Sequence, residues 1–178
     1  LLGKDRRFGD TVVVGHVGWY DYRYACGDLY SQEELASKKL SGSIWQDSLY
    51  VDFHKPDPEV CDDFNEEISE RLKAVSSGKI ILMTHMVSHP FFLVPSYRGS
   101  KWDFFNGFLG SPKLYELTRR PGVCAAVSGH VHYRRRFIEN DVQYINACLS
   151  YESEWRLFPG TDYSVSRQIN ETMVTIEL

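Results

Sequence analysis

Two histidines, His130 and His132, lie one residue apart in the stretch "AVSGHVHYRRRF", directly after an apolar run that ends at a glycine. A third, His85, directly follows the apolar run "KIILMT". Neutral imidazole is a good ligand for Zn, Fe, Mn or Ni, whereas Ca and Mg prefer oxygen. In an extended His-x-His unit both rings can reach one side, and Gly129 would let the backbone turn close to an ion. His85, His130 and His132 are therefore predicted metal ligands.

Two further histidines fit a metal site less well. His16, in "VVVGHVGWY", is followed by Gly18 where a second imidazole would stand, so we interpret it as a structural residue. His89 comes four residues after His85 and would share a face with it only on a helix. Pro90 disfavours a helix there. We expect His89 to be an exposed loop residue.

The apolar patterning predicts the elements that would hold these side chains. A helix is expected from Asp57, with Asp57 as its cap and Pro58 at its first position, to Gly78. Strands are expected at Thr11 to Tyr20, at "KIILMT", at "GVCAAVSG", in a hairpin that turns at residues 139–141, and at the final "TMVTIEL", with a short helix at about residues 111–120.

This order of strands and helices predicts an α/β fold: a layered, mixed β-sheet sandwich flanked by helices, with residues 1–178 in a single domain. Sites in open α/β sheets lie beyond the carboxyl ends of strands, so the three histidines should converge in one crevice. The aromatic-rich segment 88–110 is expected to pass over that crevice, with Trp102, Asp103 and Asn106 at its mouth.

Composition narrows the class of protein. A net charge of −4 argues against a broad nucleic-acid surface, and strand alternation would separate Arg135 from Arg134 and Arg136. No apolar run approaches the roughly 20 residues that span a bilayer, so no membrane partner is expected. The four cysteines form no C-x-x-C pair, which favours reduced thiols and a cytoplasmic protein. Nothing in the sequence fixes an oligomeric state.

Two short motifs resemble the calcineurin-like metallophosphoesterases. Thr84-His85 and Gly129-His130-Val131-His132 match that family's last two motifs in order. The stretches "GWYDY", "WDFFNGFLGS" and "SYESEW" are similar to a bacterial branch of phosphohydrolases. The resemblance implies hydrolysis of a small-molecule or nucleotide phosphate ester, mono- or diester, at a site with two divalent ions (Mn, Fe or Zn). His85 and His130 would hold one ion and His132 the other.

The family's earlier motifs, which supply carboxylate, asparagine and further histidine ligands, do not occur here in the right order. Asp52-Phe53-His54 spells Asp-x-His, but its place in the chain makes Asp52 and His54 weak candidates. We therefore interpret residues 1–178 as the carboxyl-terminal part of one phosphoesterase domain, incomplete at its amino terminus, with an uncovered strand edge at Thr11 to Tyr20. Such a chain would bind one metal ion or none and would be inactive alone.

Two other classes of protein stay open at this point. One is a catalytically inactive, phosphoesterase-like binding or scaffold protein. The other is a mononuclear zinc hydrolase that uses His85, His130 and His132 and leaves a fourth position for water.

Overall fold

The computed structural model describes residues 4–155 and 164–177. Its strands are β1 (Arg6–Phe8), β2 (Thr11–His16), β3 (Lys39–Leu40), β4 (Ser43–Ile44), β5 (Lys79–Thr84), β6 (Val123–Ser128), β7 (Arg134–Glu139) and β8 (Val142–Ala147). Its helices are α1 (Gln32–Ala36), α2 (Asp47–Tyr50), α3 (Asp57–Ala74), α4 (Trp102–Phe105), α5 (Pro112–Thr118), α6 (Glu152–Trp155) and α7 (Val165–Thr172). Two 3₁₀ turns, Pro90–Phe92 and Asn106–Phe108, interrupt the long connection after β5.

The main sheet has six strands in the order β1-β2-β5-β6-β8-β7. Strands β2, β5, β6 and β8 run parallel, and β1 and β7 pair antiparallel at the two edges. This confirms an α/β fold with a mixed sheet. Besides this sheet, the described residues contain only the small β3–β4 pair, so the sandwich that we expected is not confirmed.

Apolar side chains on both faces explain why the central strands are buried. Ile80 and Leu82 of β5 and Ala125 and Ala126 of β6 are almost completely withdrawn from water. Parallel strands covered by helices and loops need such continuous apolar runs, since neither face meets solvent. The periodicity of α3 buries Ile68 in the same core. The sheet therefore has a rigid centre, and its carboxyl edge is fixed by β5 and β6.

The start of α3 differs from the expectation. Asp57 lies inside the helix rather than capping it, and Pro56 precedes it without a side-chain cap. The Asp57 carboxylate instead accepts hydrogen bonds from Trp19 Nε1 at 2.8 Å, from Lys38 Nζ at 3.0 Å and from the Tyr22 hydroxyl. Since the side chains of Asp57 and Lys38 are only 12% and 11% exposed, this is a nearly buried ion pair that ties the loop after β2 to α3.

Strand β2 and the residues after α7 also differ from what the sequence predicted. Strand β2 ends at His16, and β1 and β5 flank it, so the predicted uncovered edge is not at this strand. At the other end, Thr172 closes α7 and residues 173–177 form no strand. Leu178 lies outside the described residues. The alternation in "TMVTIEL" was misleading because five or six residues can alternate by chance.

Two further observations concern the described residues. No helix there has the length and apolar character needed to span a bilayer. Cys26, Cys61, Cys124 and Cys148 are all free thiols.

The Asp57 carboxylate predicts a large effect on stability. Replacing it in Asp57→Ala leaves the Lys38 ammonium and the Trp19 N–H partly buried without their acceptor, which should lower the free energy of unfolding by roughly 3 kcal/mol or more. Asp63→Ala on the same helix is the control, because its partner Lys55 is solvent-exposed and such pairs contribute at most about 1 kcal/mol. Urea unfolding of the two variants measures the difference. Equal losses would contradict the role given to Asp57.

Candidate functional site

The parallel strands β5 and β6 bring two of the predicted ligands together. His85 directly follows β5, and His130 comes two residues after β6. Their rings meet with His130 Nδ1 and His85 Nε2 only 2.9 Å apart. The Gly129 amide also donates to the His85 carbonyl at 3.2 Å, so the backbones are joined as well as the rings. The expected convergence of these two imidazoles is confirmed.

The protein fixes the tautomer of His130. Its Nε2 lies 3.1 Å from the carbonyl oxygen of Phe108, which can only accept, so Nε2 must carry the hydrogen. Burial, reinforced by the neighbouring His85, lowers the pKa of His130 to about 3, so the ring is neutral near pH 7. Its Nδ1 therefore presents a lone pair toward His85. A backbone carbonyl that sets the tautomer in this way is a common support of metal-binding histidines.

The backbone at this point is strained at the histidine and not at the preceding glycine. His130 has φ +68°, in the left-handed region that side chains rarely adopt. A Cβ added to Gly129 would meet only ordinary contacts, the nearest being the His85 carbonyl oxygen at 3.8 Å. The expectation that Gly129 supplies the turn is therefore wrong. Strain of this kind persists where the surroundings hold a residue in place, and it clusters at functional sites.

The third predicted ligand, His132, is held separately. Its Nδ1 lies 2.9 Å from the Glu154 carboxylate, and the edge of the ring packs on Tyr151 at 4.6 Å between centroids. Because a carboxylate accepts, Nδ1 carries the hydrogen, which leaves Nε2 as the ring nitrogen that could bind a metal ion. The structure thus brings the three histidines to one place as two pairs, His85 with His130 and His132 with Glu154.

All three histidines line one cavity of about 610 Å³. Asp47 and Glu154 line it too, and sequence reasoning missed both carboxylates. Asp47 accepts a hydrogen bond from Trp45 Nε1 at 2.9 Å. Burial lowers the pKa of His85, and the negative charge of Asp47 opposes that shift, so Asp47 acts on His85 electrostatically. Asp47 begins α2 and Glu154 lies in α6, and a helix of four residues is too short to show a periodic pattern.

The imidazole and carboxylate groups that line the cavity are of the kinds that bind divalent transition metals. Among the described residues, however, no three or more His, Cys, Asp or Glu side chains are grouped so that they could hold a metal ion together. The rings of His85 and His130 offer a close pair of nitrogens, and Nε2 of His132 offers a third at the same cavity. That all three are ligands stays a prediction.

The remaining histidines lie elsewhere. His16 is buried: its Nδ1 accepts from the Gly18 amide at 2.9 Å and its Nε2 faces Glu67 at 3.4 Å, in keeping with a structural role. His54 is exposed and pairs with its own neighbour Asp52, away from the histidine cavity.

The expectation for His89 is wrong. It is 7% exposed, and its Nδ1 accepts from the Phe91 amide at 2.9 Å at the start of a 3₁₀ turn. Its Nε2 faces Glu139 at 3.3 Å, and its ring packs against Tyr115 and Tyr144. Proline after this histidine does exclude an α-helix, but it also sets up a buried cap that the sequence pattern does not reveal.

The aromatic segment after β5 serves mainly as core. Phe92, Phe104 and Phe108 are fully buried, and of the three residues expected at the mouth only Trp102 lines the cavity. Asp103 accepts from the Gly99 amide at 2.7 Å, and Asn106 makes two hydrogen bonds to the backbone of Val94. These two polar residues brace the segment from within.

Comparison with solved structures shows a likeness in fold. The chain is similar to the crystal structure of phosphopantetheinyl hydrolase (PptH) from Mycobacterium tuberculosis, with a TM-score of 0.70 and 18% sequence identity. The match covers 86% of this chain and 54% of the other, so this chain spans about half the length of that protein. No family model matches the sequence. No curated protein matches it either.

These findings correct the family assignment made from the sequence. The resemblance to the calcineurin-like metallophosphoesterases is not upheld, because no family model matches and the structural likeness, at 18% identity, shows the fold alone. Two short histidine motifs are too little to specify a family, since a His-x-His after a strand can arise in many α/β proteins.

The tautomer of His130 is directly testable. At pH 7, nitrogen-15 spectra of the histidine rings should show His130 as the neutral form protonated at Nε2, because Phe108 can only accept a hydrogen bond. A ring protonated at Nδ1, or a charged ring at that pH, would contradict the geometry described for the pair.

Burial of His89 predicts a dependence of stability on pH. Burial lowers its pKa below the ordinary value of 6.5, so the folded state takes up fewer protons than the unfolded state as the pH falls through that value. Stability should therefore decrease as the pH falls below about 6.5. His89→Asn, which can still accept from the Phe91 amide, should show a smaller decrease, whereas the exposed control His54→Asn should behave as the wild type. Urea unfolding across this range measures both; identical slopes for all three proteins would refute the assignment.

Proposed function

We propose that the chain forms the histidine-bearing part of a metal-dependent site that hydrolyses a small-molecule phosphate ester. One observation carries this proposal: His85, His130 and His132 meet Asp47 and Glu154 in a single cavity beyond the carboxyl ends of β5 and β6. Open α/β sheets place their sites at this edge. The structural likeness to a phosphopantetheinyl hydrolase supports the same class of reaction.

The residues that would hold metal follow from their lone pairs. With the His85 hydrogen on Nδ1, the facing Nε2 of His85 and Nδ1 of His130 would share one divalent ion, and Nε2 of His132 would bind a second, with Glu154 orienting its ring. Asp47, whose negative charge acts on His85, is the carboxylate that would balance charge at the first position. Divalent ions at such a site polarise a phosphoryl oxygen and lower the pKa of bound water. The chain's own residues supply the position and orientation of the donors.

The cavity walls indicate the kind of ester. Beyond the histidines, its lining is largely aromatic and aliphatic: Trp45, Val94, Pro95, Trp102, Leu109 and Tyr133. Such walls favour an organic group with little charge and a few polar atoms. Apart from its phosphate, a phosphopantetheinyl group, after which the structurally similar hydrolase is named, is uncharged, and we propose esters of that type as the first substrates to test.

Metal binding is the primary test. Calorimetric titration of the purified chain with Mn²⁺ and Zn²⁺ should give saturable binding that His85→Ala and His130→Ala each weaken at least tenfold, because each removes one of two adjacent donors. His54→Ala is the matched control, since that histidine is exposed and lies away from the cavity. Unchanged binding in both cavity variants, or equal loss in the control, would overturn the assignment of ligands.

Catalysis is tested separately. The metal-loaded protein should be assayed with a phosphopantetheine ester and with a generic aryl phosphate diester and monoester. If any longer protein contains this chain, it should be assayed beside it. We expect turnover in the longer protein and little in residues 1–178 alone. Robust turnover by the short chain that survives His132→Ala would exclude the proposed roles; no turnover by either protein would favour a binding function.

A further inference from the structure

Strand alternation divides the three consecutive arginines of β7 between two faces. Arg134 turns toward α7, where it binds Gln168 Oε1 at 2.8 Å and Glu171 at 3.4 Å. Arg135 turns the other way, with Phe137, onto Phe91. The sequence pattern predicted this separation. Arg135 thereby comes to line the cavity that contains His85, His130 and His132.

The guanidinium of Arg135 rests on an aromatic platform. It lies 4.6 Å from the centroid of the Tyr133 ring and 5.8 Å from that of Phe91. Tyr133 is itself fixed, because its hydroxyl contacts the carbonyl oxygens of Phe92 and Leu93. Stacking of this kind orients the planar guanidinium and leaves its N–H donors at the edge of the plane directed away from the ring.

Arg135 faces the cavity without an anionic partner among the described residues. In the ranges 4–155 and 164–177, no carboxylate lies within ion-pair distance of it, whereas the preceding Arg134 pairs with Glu171. A cation that is held in place, directed into a cavity and not neutralised attracts an anion. Its fork of donors matches two oxygens of a phosphoryl group.

We propose that Arg135 is the residue that binds the anionic phosphoryl group of the ligand in this cavity. The inference rests on the proposed function for the nature of the ligand, but not for the existence of an anion site. Asp47 and Glu154 give the cavity negative charge, so without Arg135 a phosphate ester would meet no opposing positive side chain among the described lining residues. Arg135 is thus assigned a role in binding and orientation, and none in bond breaking.

Inorganic phosphate is the probe for the first test. In metal-free buffer, nitrogen-15 spectra of the arginine side chains should show the Arg135 Nε–H signal shifting in a saturable way as phosphate is added. Arg135→Gln should weaken binding about tenfold or more, in keeping with the loss of charge-assisted hydrogen bonds. Arg136→Gln removes the same charge from the next position of the strand, whose side chain does not line the histidine cavity, and should leave binding unchanged. Arg135→Lys should restore part of the affinity.

The outcomes separate this inference from the proposed function. No saturable phosphate binding by the wild type, or equal weakening in Arg136→Gln, overturns the role of Arg135. If phosphate binding depends on Arg135 but the metal titration fails, the anion site stands without the hydrolase. If the metal-loaded protein turns over an ester, Arg135→Gln should raise KM at least tenfold and change kcat little; an unchanged KM overturns the assignment and leaves the hydrolase intact.

Discussion

The parallel pairing of β5 with β6 is the constraint on which the candidate site depends. Met83 pairs with Val127 in this ladder, and both strands then end at the same edge within one or two residues. His85 and His130, which are 45 residues apart in sequence, become neighbours because a ladder of backbone hydrogen bonds fixes the register. A shift of one residue would send either ring to the other side of its strand. The position of the histidine pair therefore depends on the core beneath it.

The left-handed backbone conformation of His130 is held by contacts on both sides of its ring. A residue with a side chain in the left-handed region costs roughly 1–2 kcal/mol relative to an ordinary conformation. At His130 both ring nitrogens have partners, the Phe108 carbonyl on one side and His85 on the other. These contacts, together with the hydrogen bond from Gly129 to the His85 carbonyl, hold the turn in place. The strain is local, and it directs one lone pair toward the neighbouring imidazole.

The sequence predicted the parts of the fold that repeat a pattern over several residues. Strands β5 and β6, helix α3 and the β7–β8 hairpin all carry such patterns, and the positive φ angles of Asn140 and Asp141 match the expected turn. Once two buried parallel strands were recognised, the meeting of His85 and His130 followed from topology alone. The alternation of the arginines in β7 was predictable for the same reason.

Other features depend on tertiary contacts that leave no periodic signal. Asp57 has the sequence context of a helix cap, yet the indole of Trp19 and the ammonium of Lys38 draw its carboxylate into an ion pair. Asp47 and Glu154 reach the cavity from helices of only four residues, which are too short to show a hydrophobic period. The family resemblance was wrong for a related reason. A motif of a few residues specifies only a local backbone geometry, and the same local geometry occurs in unrelated proteins.

Different parts of the chain hold the His85–His130 pair and the His132–Glu154 pair, so a ligand that spans both pairs contacts both parts. His85 and His130 are fixed by the central sheet, whereas His132 is oriented by Glu154 of α6, a helix near the end of the chain. Arg135 lies on the strand that follows His132, and its stacking on Tyr133 ties it to the segment after β5. A phosphate ester in this cavity would therefore contact three structural units at once. The central pair sets the position of the site, and the two outer units set which ligands fit beside it.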